Sequence, residues 1–342
     1  MGNYNDGMRR AQIGIILALV VVLSGASCKN TTVVQPTTTQ AALEATVTKE
    51  AAVTATAVTP TPTVTPHLAP TRTPLPVPTP SPTALPVATT VVSPTFVSQP
   101  EGEVRPQPDA DAASRVLTIP ILMYHYISSA PKASDRVRLD LSVSPGNFES
   151  ELKYLVSYSY TAVSLYDIYN ALATGAPLPP KPVVITFDDG YRDAYVNAYP
   201  LLKKYNMTGT FFIVSDFINN GNPAYLTWDM VKEMSDGGMS IESHSRWHPD
   251  MRNRQNDFLV YQILGPIEAI TAYTGKRPHF FCYPSGRYDA VVMRVLKSAD
   301  TWAAVTTQQG ATYSLANAMT WARIRVHGST TLQQFAELVQ TP

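Results

Sequence analysis

The sequence predicts an α/β fold, a (β/α) barrel, and three observations predict it. From Arg115 onward, apolar runs of strand length alternate with stretches of helical period. Near-continuous apolar strands separated by helices belong to a parallel sheet covered on both faces. Residues able to do chemistry fall at the ends of those apolar runs, where a barrel places its site. An open doubly wound sheet is the competing arrangement. No glycine-rich dinucleotide fingerprint or Walker loop interrupts the pattern, so nucleotide binding has no support.

Taken in order, "VLTIPILMY" reads as the first strand and "NFESELKYLVSY" as a helix with Phe148, Leu152 and Leu155 on one face. "YTAVSL" is a short strand, and helical "YDIYNALATG" stops at Gly175. "PVVITF" is a strand, followed by a helix over "YRDAYVNAYPLLKKYN" with a kink at Pro200. After the strand "GTFFIV", Thr227 caps a helix over "WDMVKEMSDGG". "MSIES" is a strand, and "DFLVYQILGPIEAITAYTG" is a helix with an irregularity at Pro266. "RPHFFCY" (strand), "YDAVVMRVLKSA" (helix), "WAAVTT" and "WARIRV" (strands) and "TLQQFAELV" (helix) complete the chain.

The segment before this domain has a different texture. Arg9 and Arg10 precede an apolar run, Ile13 to Leu23, then small residues and Cys28, the pattern of an export signal over residues 1–28. Cys28 after small residues resembles a lipoprotein processing site, with Gly25 where an aliphatic residue is usual, so Cys28 is a candidate lipidation site and the N-terminus a candidate membrane anchor. Residues 29–114 are dominated by Thr, Pro, Val and Ala, as in "PLPVPTPSPT". Proline at this density blocks helix and central strand, which leaves an extended, disordered spacer. At roughly 3.1 Å per residue it would reach on the order of 200 Å at most. The division expected is therefore 1–28 signal, 29–114 linker and 115–342 catalytic domain, exported and acting at the cell surface or beyond.

The 342 residues carry 26 basic and 26 acidic side chains, a balance that argues against a nucleic-acid partner. Only two cysteines occur, so neither a disulfide framework nor a cysteine zinc site is available. Any metal must be held by histidine and carboxylate.

The ends of the apolar runs supply both. His125 follows the first strand, Asp188 and Asp189 follow "PVVITF", His244 and His248 follow "MSIES", "YPSG" follows "FFC", and His327 follows "ARIRV". His279 lies inside a strand and reads as structural. Two adjacent carboxylates at the end of a buried strand raise each other's pKa and need a compensating partner. Two imidazoles and one carboxylate suit zinc or a similar borderline cation and leave a position open for water. One aspartate would then be a ligand and the other a general base, the cation's charge offsetting the repulsion.

These residues carry a resemblance. "TFDDG" and "HSRWH" resemble the first two motifs of the polysaccharide deacetylases, the NodB-like members of carbohydrate esterase family 4. "IPILMYHYI", "LTWDMVKEMSDGGMSIESHS", "FFCYPSG" and "WAAVTT" also resemble this family, so the likeness covers nearly all of the domain. It implies a distorted (β/α)7 barrel and metal-dependent N- or O-deacetylation of an acetylated polysaccharide, commonly at N-acetylglucosamine units. By motif, Asp188 is implied as general base, and Asp189, His244 and His248 as ligands of a divalent metal, Zn2+ first, with Co2+ or Ni2+ as alternatives. An amide near Ser285 is implied as oxyanion donor and His327 as general acid. His125, Tyr283, Arg323 and Arg325 are expected at the substrate, and Trp247 and Tyr288 are candidate sugar platforms. Two departures stand out. Cys282 occupies a position where many members carry an arginine beside the base, so Arg323 or Arg325 would have to substitute. Arg325 also replaces the leucine of the usual Leu-x-His motif.

Two rival readings remain: a carbohydrate-binding module that has lost activity, and a related metal-dependent amidase. The complete Asp, Asp, His, His set argues against the first, and the export signal and spacer against the second.

Overall fold

The computed structural model describes residues 104–129 and 134–340. The expected export signal, Cys28 and most of the Thr/Pro-rich stretch lie outside the described residues. Seven parallel strands form the frame: β1 (Ile121–Tyr124), β2 (Pro182–Phe187), β3 (Thr210–Ile213), β4 (Ser240–Ser243), β5 (Phe280–Cys282), β6 (Ala303–Gln309) and β7 (Trp321–Arg325). Each pairs with the next in chain order. β7 returns to β1 through Ile324↔Leu122 and Arg325↔Met123, which closes the ring. The fold is thus the (β/α)7 barrel, and the open sheet is excluded. Closure leaves no edge strand in the ring.

Nine α-helices connect or cover these strands in the described residues: α1 (Arg136–Leu141), α2 (Pro145–Ser157), α3 (Leu165–Thr174), α4 (Tyr199–Lys204), α5 (Ser215–Asn219), α6 (Trp228–Asp236), α7 (Asn256–Thr274), α8 (Ala290–Ser298) and α9 (Leu332–Gln340). Their boundaries follow local chemistry. Ser144 caps α2, with Pro145 in the first turn. Ser164 and Asp167 form a reciprocal capping box on α3, and Gly175 ends it at φ +71°. Thr227 Oγ1 accepts from the Met230 amide at 3.3 Å to start α6. Asp289 caps α8.

Two prolines behave differently. Pro200 has no N–H for the preceding turn, and the ladder widens into a π-helical segment, Ala194–Ala198, that runs into α4. Pro266 leaves α7 continuous. The short helices α1 and α5 have no counterpart in the sequence reading, because fewer than two turns give periodicity nothing to act on.

The strands carry the core. Tyr124, Phe148, Phe187 and Phe211 are each at most 1% exposed, and the Phe187 and Phe211 rings stack at 4.6 Å. Residues 105–114, on the linker side of the boundary expected at 114, lie against the barrel. Arg105 Nε donates to Tyr169 Oη at 2.9 Å, the Asp109 amide donates to the Ala173 carbonyl at 2.9 Å, and Ala112 is buried. Among the described residues no helix is long and apolar enough to cross a membrane.

Candidate active site

The C-terminal ends of the strands surround a cavity of about 610 Å³. His125, Asp188, Asp189, His244, His248 and Ser285 line it, drawn from the ends of β1, β2, β4 and β5.

The doublet divides at the end of β2. Asp188 stays on the strand line, its amide donating to the Tyr124 carbonyl at 3.0 Å. Asp189 takes φ +71° and Gly190 φ +75°, a left-handed pair that swings the second carboxylate away from the first. Asp189 Oδ1 lies 3.3 Å from His244 Nε2 and 3.5 Å from His248 Nε2. These three residues offer ligand atoms within 4.8 Å of one another, a set that fits a divalent cation. His244 Nδ1 donates to the Cys282 carbonyl at 2.7 Å, which fixes the tautomer and leaves Nε2 its lone pair. Ser245 and His248 also adopt positive φ, +66° and +60°, and the His248 amide donates to Ser245 Oγ at 3.0 Å. Three left-handed non-glycine residues line this cavity, Asp189, His248 and Ser285, and mark a site where backbone strain is held by its surroundings. Burial raises the Asp189 pKa, but His244, His125 and His248 outweigh it and hold the carboxyl below its ordinary value.

Asp188 has a different partner. Arg323 reaches it from β7 with Nη1 to Oδ1 and Nη2 to Oδ2, both at 2.7 Å. The remaining guanidinium donors meet Thr186 Oγ1 at 2.9 Å, the Thr306 carbonyl at 3.0 Å and Cys282 Sγ at 3.1 Å. All five donors are therefore placed in a fully buried fork. Burial pushes the Asp188 carboxyl up, and Arg323 more than offsets this, holding it well below the usual carboxylate range. Arg323 thus fills the place left by Cys282. Asp188, His244 and Cys282 also offer clustered ligand atoms, but the guanidinium beside Asp188 and Cys282 already supplies a cation there.

The structure does not bring every expected residue together. His327 is absent from the cavity lining; its Nδ1 lies 2.8 Å from Asp140 Oδ1 and its side chain is 44% exposed. The turn after β7 carries it outward, with its amide on Thr330 Oγ1 and the Gly328 amide on the Asp140 carbonyl. A Cβ on Gly328 would collide with the Leu139 and Ser142 carbonyls, so the turn is pressed against α1. His125 instead stands beside the base, Nε2 3.8 Å from Asp188 Oδ2. Burial lowers its pKa, against the pull of Asp188 and Asp189. Arg325 lines the cavity rim and pairs with Asp140 at 3.7 Å. Tyr283 lines the cavity, with its hydroxyl spent on the Met319 carbonyl. Trp247 faces elsewhere: its indole N–H bonds Asp216 and its ring meets Tyr261 edge-on. Tyr288 stacks on Tyr283 at 4.6 Å. Tyr191, Asp140 and Thr307 line the cavity without having been read from the sequence. Only Tyr191, directly after "DDG", carried a usable signal.

Residues 175–303 match the sequence profile of the polysaccharide deacetylase family. The barrel thus carries a polysaccharide deacetylase domain over these residues. It is 32% identical over 193 residues to the YxkH protein of Bacillus subtilis, covering 56% of this chain and 66% of that one. It is 35% identical over 175 residues to the poly-β-1,6-N-acetyl-D-glucosamine N-deacetylase of Staphylococcus aureus, covering 46% of this chain and 58% of the relative. The chain therefore spans less than two thirds of these curated relatives. Among solved structures, the Streptococcus pyogenes deacetylase PplD, determined with acetate, superposes with a TM-score of 0.62 at 29% identity, over 66% of this chain and 99% of that one.

Proposed function

We propose that the protein is an exported, metal-dependent polysaccharide deacetylase that removes acetyl groups, N-acetyl of N-acetylglucosamine units foremost, from a cell-wall or extracellular polymer. The observation that carries this reading is the division of labour in the doublet: Asp189 converges with two imidazoles, while Asp188 is held apart by Arg323. A binding module has no use for the second carboxylate. A relative acting on poly-N-acetylglucosamine supports the substrate class. The charged and apolar N-terminus supports export, with Cys28 as an anchoring point, and the Thr/Pro-rich stretch supports a spacer.

Asp189, His244 and His248 would hold the cation, read as zinc from its borderline donors. When bound, it supplies a polarised acetyl carbonyl and a water of lowered pKa. Asp188 takes the proton of the attacking water, and the Arg323 fork keeps its oxygens fixed in the cavity. In "YPSG" the Tyr283 and Gly286 amides are spent on the Val305 and Tyr283 carbonyls, and proline has none. The Ser285 amide is left as the oxyanion donor in this loop. His125, beside Asp188, takes the acid role expected of His327 and protonates the leaving nitrogen.

Asp188→Asn tests the division directly. Turnover should fall by about a hundredfold or more while metal content stays near one per chain. His244→Ala should lose both. Metal loss in Asp188→Asn, measured by elemental analysis, would reverse the two aspartate roles.

A further inference from the structure

The two imidazoles of the candidate metal set are held in different ways. The His244 side chain is 3% exposed, and its Nδ1 donates to the Cys282 carbonyl. The His248 side chain is 29% exposed, and among the described residues its Nδ1 has no hydrogen-bond partner. A ligating histidine ordinarily has its second ring nitrogen fixed by such a partner. The aim of His248 therefore comes from its backbone, the turn over residues 245–248, which carries positive φ at both ends. That turn is fastened to two helices. From α5, Asp216 Oδ2 accepts from Arg246 Nε at 3.0 Å and from the Trp247 indole N–H, and the Asp216 amide donates to the Arg246 carbonyl at 3.0 Å. Asn219 Nδ2 donates to the other carboxylate oxygen at 3.1 Å, which fixes the carboxylate itself. From α7, the fully buried Gln262 accepts from the Trp247 amide on Oε1 at 3.1 Å. The Arg246 guanidinium lies 4.1 Å from the centre of the Tyr261 ring, in room left by Gly265, where a Cβ would come 3.0 Å from Nη1. α5 also reaches the other half of the site: Phe217 packs on Tyr225 at 4.6 Å, and Tyr225 stacks at 5.1 Å on Tyr191, which follows the aspartate doublet.

We propose that Asp216 and Gln262 are positioning residues for the metal, holding the turn so that His248 Nε2 faces Asp189 and His244 before the cation arrives. The inference rests on the metal-site reading above and adds which residues outside the donor set decide its affinity. Neither side chain belongs to the convergent donor set, and both act through Arg246 and Trp247. Left-handed non-glycine residues persist only where the surroundings over-determine them. Here the surroundings are the Asp216 carboxylate on one side of the turn and the Gln262 amide oxygen on the other. Without them Ser245 and His248 relax, and the more exposed imidazole turns towards solvent. The site is then left with Asp189 and His244, and the cost of ordering the third ligand falls on binding.

The test strips the full chain of metal and titrates it with Zn2+ against a competing chelator, in wild type, Asp216→Ala, Asp216→Asn, Trp247→Phe and Gln262→Leu. The visible spectrum of the Co2+-loaded protein and the Tm of the metal-free protein are recorded for each. Asp216→Ala and Gln262→Leu should each raise the Zn2+ Kd by about tenfold or more and alter the Co2+ bands. Asp216→Asn, which keeps an acceptor, should fall between Asp216→Ala and wild type. Trp247→Phe removes only the indole donor at an exposed side chain, and should weaken binding by a smaller factor. A merely structural role would lower the metal-free Tm and leave the Zn2+ Kd and the Co2+ bands unchanged. That result in Asp216→Ala and Gln262→Leu would overturn the positioning role while leaving the metal site intact. Should either of those two fail to fold, unchanged Kd and Co2+ bands in both Asp216→Asn and Trp247→Phe would overturn it equally. No Zn2+ binding by wild type, or binding untouched by His244→Ala, would overturn the metal reading and the positioning role with it.

Discussion

Asp188 and Asp189 are neighbours in the chain, 2% and 9% exposed, yet one faces a guanidinium and the other two imidazoles. The left-handed turn at Asp189 produces the split. The need for a compensating partner was legible in "FDDG". The resemblance also implied an arginine beside Asp188; that it is Arg323 and not Arg325 was not legible, because Arg323 lies 135 residues from Asp188 and meets it only through barrel closure. Breaking one side of a buried ion pair strands the other charge. Arg323→Met should therefore cost on the order of 3–5 kcal/mol in denaturant unfolding. Asp188→Asn in the same background should recover part of it. A loss near zero would mean the fork is not structurally required. The histidines give a second residue-scale prediction. His125→Ala should lower kcat by about a hundredfold, while His327→Ala should keep kcat within a few-fold and act mainly on KM. The reverse pattern would restore His327 as the acid. The sequence placed both at strand ends; only the turn over residues 327–330 shows that one points out of the cavity.

At the scale of elements, strand ends build the site, and helices brace it from behind. α2 packs on β1 through a buried pair, Tyr124 Oη donating to Glu151 Oε2 at 2.8 Å. Burial raises the Glu151 pKa to about 8, and the Tyr124 bond opposes this only in part. The folded state therefore binds the proton more tightly than the unfolded state. This contribution is fully present below about pH 4.5 and is lost as pH rises towards 8. Glu151→Gln should remove a slope of up to about 1.4 kcal/mol per pH unit across that window. Unfolding free energies of both proteins at several pH values check it, and parallel curves would contradict it. The longer elements were readable because period and caps agreed, as in α3 between its Ser164 box and Gly175. The short α1, which forms part of the cavity wall, was not, since six residues held by Ser142 and Gly328 contacts leave no periodic trace.

Across the whole molecule, seven strands in chain order bring residues from 125 to 325 to one rim. Ring closure by β7 on β1 sets Arg323 across the interior from β2. The alternation of apolar runs and helices made the barrel legible, and "TFDDG" with "HSRWH" made its family legible. What the sequence left open was which arginine, Arg323 or Arg325, stands beside Asp188. The central claim, that these strand ends form a metal-dependent deacetylase, rests on a single assay. Acetate release from N-acetylglucosamine oligomers is measured for the full chain, after chelation, and after zinc is returned. The account predicts release by the full chain, a loss of about a hundredfold or more on chelation, and recovery with zinc. Release that is indifferent to chelator, or none with zinc restored on any acetylated polymer, would contradict it.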